Sequence, residues 1–152
     1  MLLGELLIKK KLITQKQLDE ALQEQKQSKE LLGVLLVRKK IVPEEKLLKV
    51  LSEHLHVQCR KLDLKDIDWN VTTRFSTLLV MEYECLPFKE DANVITAAIT
   101  YPFSSKSILR AEEEAGKGRE VRLVLISYND MQEALRVYGE KMGKKFKRIL
   151  DT

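Results

Sequence analysis

The sequence predicts an α+β fold, with an N-terminal helical subdomain of two tandem helical hairpins packed on a small C-terminal α/β subdomain. Three observations predict it. The first 54 residues state one pattern twice, apolar residues recur at helical spacing up to about residue 57, and strand-like runs alternate with helical ones beyond. The expected divisions are a tandem-repeat subdomain over 1–57, an α/β subdomain over 58–140 and a basic tail over 141–152. No Gly/Ser/Pro-rich linker separates the halves, so they are expected to pack as one unit.

The repeat has no gaps. Leu2-Leu3-Gly4-Glu5-Leu6-Leu7 returns as Leu31-Leu32-Gly33-Val34-Leu35-Leu36, displaced by 29 positions. The same offset carries Lys10-Lys11 onto Lys39-Lys40, Leu12-Ile13 onto Ile41-Val42, Leu18 onto Leu47 and Leu22 onto Leu51. Two copies are too few for a solenoid, which needs about three or more. They imply a pseudo-symmetric pair of hairpins with a seam where a ligand or partner can sit.

Residues 2–10 carry a dense leucine face and read as a short buried helix. Leu12 to Thr14 is the turn, and Thr14 with Gln17 fits a capping box. The helix from Gln15 to about Gln27 is expected to bury Leu18, Ala21 and Leu22 and to leave Lys16, Asp19, Glu20, Gln23 and Glu24 to water. Leu31 to Lys39 repeats the short helix. Pro43 takes the place of Thr14, where its missing amide costs nothing, and Glu44 and Glu45 favour the positive end of the next helix. That helix runs to about His56 with Leu47, Leu48, Val50, Leu51 and Leu55 on its apolar face.

Val57 to Asp63 reads as a connector or edge strand. Asp68 or Asn70 caps a helix expected to reach about Met81, with Val71, Phe75, Leu78 and Leu79 inward. Glu84 to Phe88 reads as a strand, Lys89 to Asn93 as a turn, and Val94 to Ile99 as a buried strand stopped by Pro102. Ser104 or Ser105 opens a helix through Ala115, which Gly116 ends in the left-handed conformation. Val121 to Ile126 alternates as a strand. Ser127 with Asp130 suggests a second capping box, opening a helix from Tyr128 to about Lys141 with Met131, Ala134, Leu135 and Tyr138 inward.

Composition narrows the function. Hydrophobic residues at 44% and charged residues at 33% describe a folded, surface-charged chain. No apolar run reaches the roughly 20 residues a membrane span needs. Glu5 interrupts the first apolar stretch and Lys9 to Lys11 follow it, the reverse of a signal peptide, so a cytoplasmic location is expected. The net charge of +4 is a weak basic excess, gathered at Lys9 to Lys11, Arg38 to Lys40 and the tail. Cys59 and Cys85 are expected to be reduced and mostly buried.

Catalytic and metal chemistry find little support. Ala115-Gly116-Lys117-Gly118-Arg119 lacks the spaced first glycine, the following Ser/Thr and the preceding strand of a phosphate-cradling loop, and reads as a tight turn. His54-Leu55-His56 with Cys59 is the one metal-like cluster. Ligands two apart on a helix diverge, so a polar helix end beside a thiol is the plainer reading. Glu112-Glu113-Glu114 reads as a solvated helix face. No enzymatic activity, metal or cofactor is expected. A helix-turn-helix reading of the hairpins meets acidic residues in the would-be recognition helices: Asp19, Glu20 and Glu24, or Glu44, Glu45 and Glu53. The tail interleaves Lys141, Lys144, Lys145, Lys147 and Arg148 with Met142, Phe146, Ile149 and Leu150, which suits a solvated helix end or peripheral docking to a partner or acidic lipid.

The doubled stretch resembles the MshEN family, the N-terminal domain of bacterial type II secretion and type IV pilus assembly ATPases. The resemblance rests on Leu3-Gly4 and Leu32-Gly33, the leucines at 7, 18, 22 and 36, 47, 51, and the constant offset. Leu62 to Asp68, Leu86-Pro87-Phe88 and the strand before Pro102 fit as well. It implies a regulatory and docking module that, in the full ATPases, precedes a motor domain these 152 residues do not contain. Some members bind cyclic di-GMP through two motifs of the form Arg-Leu-Gly, a second Gly, then Leu, Leu and Gln. Carried over, the candidate ligand residues are Leu3, Gly4, Leu7, Lys11, Leu18, Leu22 and Gln25 in the first copy, and Leu32, Gly33, Leu36, Lys40, Leu47, Leu51 and His54 in the second.

This chain departs from the motif in both copies. Leu2 and Leu31 stand for the arginines, Lys11 and Lys40 for the second glycines, and His54 for the second glutamine. The scaffold is kept while the bidentate donors are missing. The leading expectation is therefore a non-catalytic regulatory or protein-interaction module of a secretion, pilus or motility apparatus. A cyclic di-GMP receptor is the alternative, and a DNA-binding protein a weaker one.

Overall fold

A computed structural model describes residues 2–101 and 105–151, so Pro102 and Ser104 lie outside the described residues. The chain divides into two compact units, one ending at Cys59 and the other beginning at Arg60.

The first unit contains α1 (Leu3–Lys9), α2 (Gln15–Ser28), α3 (Leu32–Arg38), α4 (Glu44–Leu55) and the two-residue strand β1 (Gln58–Cys59). The repeat in the sequence is a repeat in the backbone. Lys10 and Lys39 close the short helices with φ,ψ of −82°,3° and −79°,1°, and Lys11 and Lys40 follow, each at φ 60°. The Lys11 amide donates to Ile8 O (2.9 Å) and the Leu12 amide to Leu7 O (3.0 Å). Twenty-nine residues on, the Lys40 amide donates to Val37 O and the Ile41 amide to Leu36 O, both at 3.0 Å. These paired bonds are Schellman closures, which satisfy the last carbonyls of a helix by placing one residue in the left-handed region. Glycine is the usual residue there, and both copies carry lysine.

The two copies part at the ends of their longer helices. α2 has 14 residues and α4 has 12, so their left-handed caps, Lys29 and His56, lie 27 apart. Thr14 forms the expected capping box, accepting from the Gln17 amide while Gln17 accepts from the Thr14 amide. Pro43 holds the same N-cap place with no side-chain bond, and Glu44 and Glu45 occupy the first turn of α4. Leu22 departs from expectation: it is 39% exposed where the spacing placed it in the core.

The second unit is built on strands β2 (Leu86–Asp91), β3 (Val94–Ile99) and β4 (Glu120–Leu125). β2 and β3 form an antiparallel hairpin, and β3 pairs in parallel with β4 through the crossover helix α6 (Ser105–Ala115). Lys89 to Asp91, expected in a turn, belong to β2, so the turn shrinks to Ala92-Asn93 with Ala92 at φ 52°. Ladder pairing is what extends the strand. Gly116 and Gly118 are left-handed at φ 89° and 81°, making the expected turn into β4.

The helix expected from about 69 to 81 is broken. Only Trp69–Thr72 (α5) is α-helical, and Leu78–Glu82 forms a wider π turn with the Tyr83 amide bonded to Leu78 O at 3.1 Å. Side chains that compete for the backbone cause the break. Thr72 Oγ1 donates to Pro87 O (2.6 Å), and the Asp68 amide donates to Phe88 O (2.8 Å), using carbonyls at the bulge between Pro87 and Lys89. The Ser76 amide and hydroxyl both donate to the Glu114 carboxylate at 2.6 Å, while Ser76 Oγ accepts from the Leu79 amide at 3.2 Å. Restarting there turns Leu78 outward, 41% exposed, and keeps Leu79 fully buried.

Glu114 is thus a partly buried anchor, tied to Ser76 and Arg110, and not part of a solvated acidic face. Burial pushes its carboxyl up, but the bonds from Ser76 and Arg110 outweigh that and hold it below the usual carboxylate range. Helix α7 (Tyr128–Asp151) runs on past Lys141, so the basic stretch is helical to Asp151. Ser127 Oγ accepts from the Asp130 amide (3.1 Å), but the Asp130 carboxylate takes the Leu62 amide instead of closing a box. Met131, Ala134, Leu135 and Tyr138 of α7 pack with Leu86, Phe88, Ala98 and Val124 in one core. Cys85 is fully buried and burial pushes its thiol up to about 12, whereas Cys59, expected to be buried, is exposed on β1.

Two outcomes follow from this architecture. Lys11→Gly and Lys40→Gly relieve left-handed side-chain strain, so each is expected to stabilise the protein by about 0.5–1 kcal/mol, read as a rise in the denaturation midpoint. Lys9→Gly, inside the helix, is expected to cost about 1 kcal/mol. Glu114→Gln should cost about 1–3 kcal/mol at pH 7 by weakening the bonds from Ser76 and Arg110. Because the folded carboxyl lies below its unfolded value of about 4.3, the advantage of wild type over Glu114→Gln should be full above that pH. It should be lost as pH falls through the folded value, which denaturant titrations between pH 7 and pH 2.5 would check.

Candidate functional site

The first unit holds an open groove of about 500 Å³. α1 and the residue before it bring Leu2, Leu3, Glu5 and Ile8 to it, α2 brings Gln15, Leu18, Leu22 and Gln25, and α3 brings Leu32. Positions 15, 18, 22 and 25 recur at three and four residues, the spacing of one helical face. Gly4 lets the two helices meet. A Cβ there would lie 2.6 Å from Leu18 Cδ1 and 3.0 Å from Cδ2. This close approach accounts for a glycine inside a helix, where it costs about 1 kcal/mol relative to alanine.

The groove is apolar, and among the described residues its lining carries no cation. Six of its side chains are Leu or Ile, two are amides, and Glu5 bears the only charge. Leu2 is 74% exposed. Arg38 is held by Glu30 through two bonds (2.8 and 3.0 Å), and this bonding raises its pKa further. Lys39 pairs with Glu24.

Of the residues expected to hold a ligand, Leu3, Gly4, Leu18, Leu22, Gln25 and Leu32 share this groove. The rest lie elsewhere. Leu7, Leu36 and Leu47 are fully buried and Leu51 is 9% exposed, all in the core. Gly33 is buried within α3. Lys11 and Lys40 are exposed on the closing turns. His54 lines a separate pocket of about 180 Å³ with Leu6, Lys9, Lys10 and Glu53. The copies therefore share a backbone and differ in what they expose: Leu18 and Leu22 border a groove, and their counterparts Leu47 and Leu51 are covered.

Sequence reasoning missed Leu2, Glu5, Ile8 and Gln15 as lining residues. The signal for Gln15 was its place on the Leu18–Leu22–Gln25 face. Leu2 was expected on the buried leucine face of the first short helix and, by the resemblance, in place of an arginine. Among the described residues, no group of three or more His, Cys, Asp or Glu side chains is placed to hold a metal ion. No helix among them is long and apolar enough to cross a membrane.

Comparison with solved structures finds the same fold in MshE with cdg, at a TM-score of 0.70 and 18% identity, over 91% of this chain and 99% of that one. The N-terminal domain of XpsE is similar in two crystal forms, at TM-scores of 0.62 and 0.52 and identities of 18% and 17%, each over 88% of this chain and 91% of the other. No curated protein matches the chain. The MshEN domain family matches residues 55–144, which take in most of the second unit and the end of α4. That match spans more than half of the 152 residues, and the chain belongs to the MshEN domain family.

Proposed function

We propose that this MshEN domain is a non-catalytic regulatory and docking module, and that its groove receives an amphipathic, cation-bearing helix from a partner in a secretion or pilus apparatus. The lining of the groove carries this reading: six aliphatic side chains, two amides and a single carboxylate. Burying such side chains gains roughly 1.5–3 kcal/mol each, against association costs of at least ~4 kcal/mol, which suits micromolar docking. Glu5 favours a lysine or arginine on the visitor. The lining supplies apolar contacts, two amides and one charge, which suit binding.

Cyclic di-GMP is a second reading, favoured by the likeness to MshE, whose structure was determined with cdg. Gly4, the leucines and Gln25 would serve a guanine face. Against it stands the chemistry of two phosphodiesters, which call for cations or backbone amides. Here leucines stand at both arginine positions, and lysines hold the left-handed turns away from the groove lining.

Two titrations separate the readings. Cyclic di-GMP at about 100 µM is expected to give no heat and no shift in melting temperature. A receptor at 100 times its Kd would gain about 2.7 kcal/mol. A fluorescein-labelled leucine–lysine amphipathic peptide should bind saturably in the micromolar range, at least tenfold more weakly to Leu22→Asp, and better than its leucine–glutamate counterpart. Equal binding to wild type and Leu22→Asp would remove the groove from the proposal.

A further inference from the structure

The two copies of the repeat use one position for two kinds of pocket. Gln25 lines the apolar groove, and its counterpart His54 lines the smaller pocket beside Lys9, Lys10 and Glu53. The ammonium groups of Lys9 and Lys10 are not needed to cap α1. Leu6, Leu7 and Ile8 carbonyls already accept from the amides of Lys10, Leu12 and Lys11. Nor are they neutralised: among the described residues neither lysine has an ion-pair partner within 4.0 Å, and Glu53 has none either. Each of the lysines elsewhere that does pair, Lys39 and Lys89, meets a carboxylate. Two lysines without ion-pair partners and a histidine therefore line one small concavity, together with Glu53 and Leu6. Its volume, about 180 Å³ against about 500 Å³ for the groove, suits one tetrahedral oxyanion better than a dinucleotide.

We propose that this pocket binds a single phosphomonoester group, held by Lys9, Lys10 and the His54 imidazole. Lysine acts there as a compact point charge with three donors, which suits a terminal phosphate with free oxygens. The group can come from a small phosphorylated metabolite or from a phosphomonoester lipid headgroup. Glu53 opposes it and keeps affinity in the millimolar range.

Amide-resolved NMR titration of the whole chain tests this, at ionic strength held constant with sodium chloride. One arm uses glycerol 3-phosphate, and the other uses phosphatidylcholine vesicles containing phosphatidic acid. Saturable shifts at residues 9, 10, 53 and 54 with half-saturation below about 10 mM are expected in the first arm if the source is a metabolite. Vesicle binding that depends on phosphatidic acid without free-ligand saturation assigns the lipid source. Lys9→Met combined with Lys10→Met should weaken binding at least tenfold, Glu53→Gln should strengthen it severalfold, and Lys46→Met should leave it unchanged. No saturation in either arm, or an equal loss with Lys46→Met, overturns the proposal. A strengthened Glu53→Gln response cannot arise from a purely structural role for these side chains.

Discussion

The first unit depends on the way its short helices stop. A Schellman closure sends the chain back at a fixed angle by bonding the last carbonyls to the two residues that follow. That angle lets α1 and α2 approach closely enough to need Gly4, and the approach is what opens a groove along the outer leucines of α2. Lysine in the left-handed position makes each closure costlier than glycine would. The bonds nevertheless form at near-identical lengths in both copies, so the turn is held by the surrounding helices more than by local preference.

The second unit solves a different problem, with side chains in place of repeats. Thr72, Ser76 and Glu114 intercept backbone groups and divide one expected helix into two short pieces that follow the bulged edge of the sheet. A carboxylate that accepts an amide, a hydroxyl and a guanidinium at once rarely remains on a solvated face. Its anchoring of Ser76 to α6 ties the π turn to the crossover helix, which in turn sets the parallel pairing of β3 with β4.

Much of this was legible in the sequence because periodicity and capping are local signals. The 29-residue offset returned as matching backbone angles, the Thr14–Gln17 box formed both its bonds, and Gly116 ended α6 left-handed. What was not legible depended on distant partners. Nothing near Ser76 in the chain announces Glu114, and nothing near Asp130 announces the Leu62 amide. The site shows the same limit. Equivalent leucines in the two copies read alike, yet burial separates Leu22 at 39% exposed from Leu51 at 9%, because tertiary packing decides which face stays open.

The two cysteines have a practical consequence. A thiol reacts through its thiolate, and burial pushes the Cys85 thiol up to about 12, which keeps it protonated at pH 7 besides sealing it from reagent. Cys59 is also pushed up, by partial burial and by the Glu44 carboxylate, but it stands exposed on β1. The native chain therefore offers a maleimide one accessible attachment point, Cys59. A fluorophore or spin label can be placed there without mutation, at the last residue of the first unit.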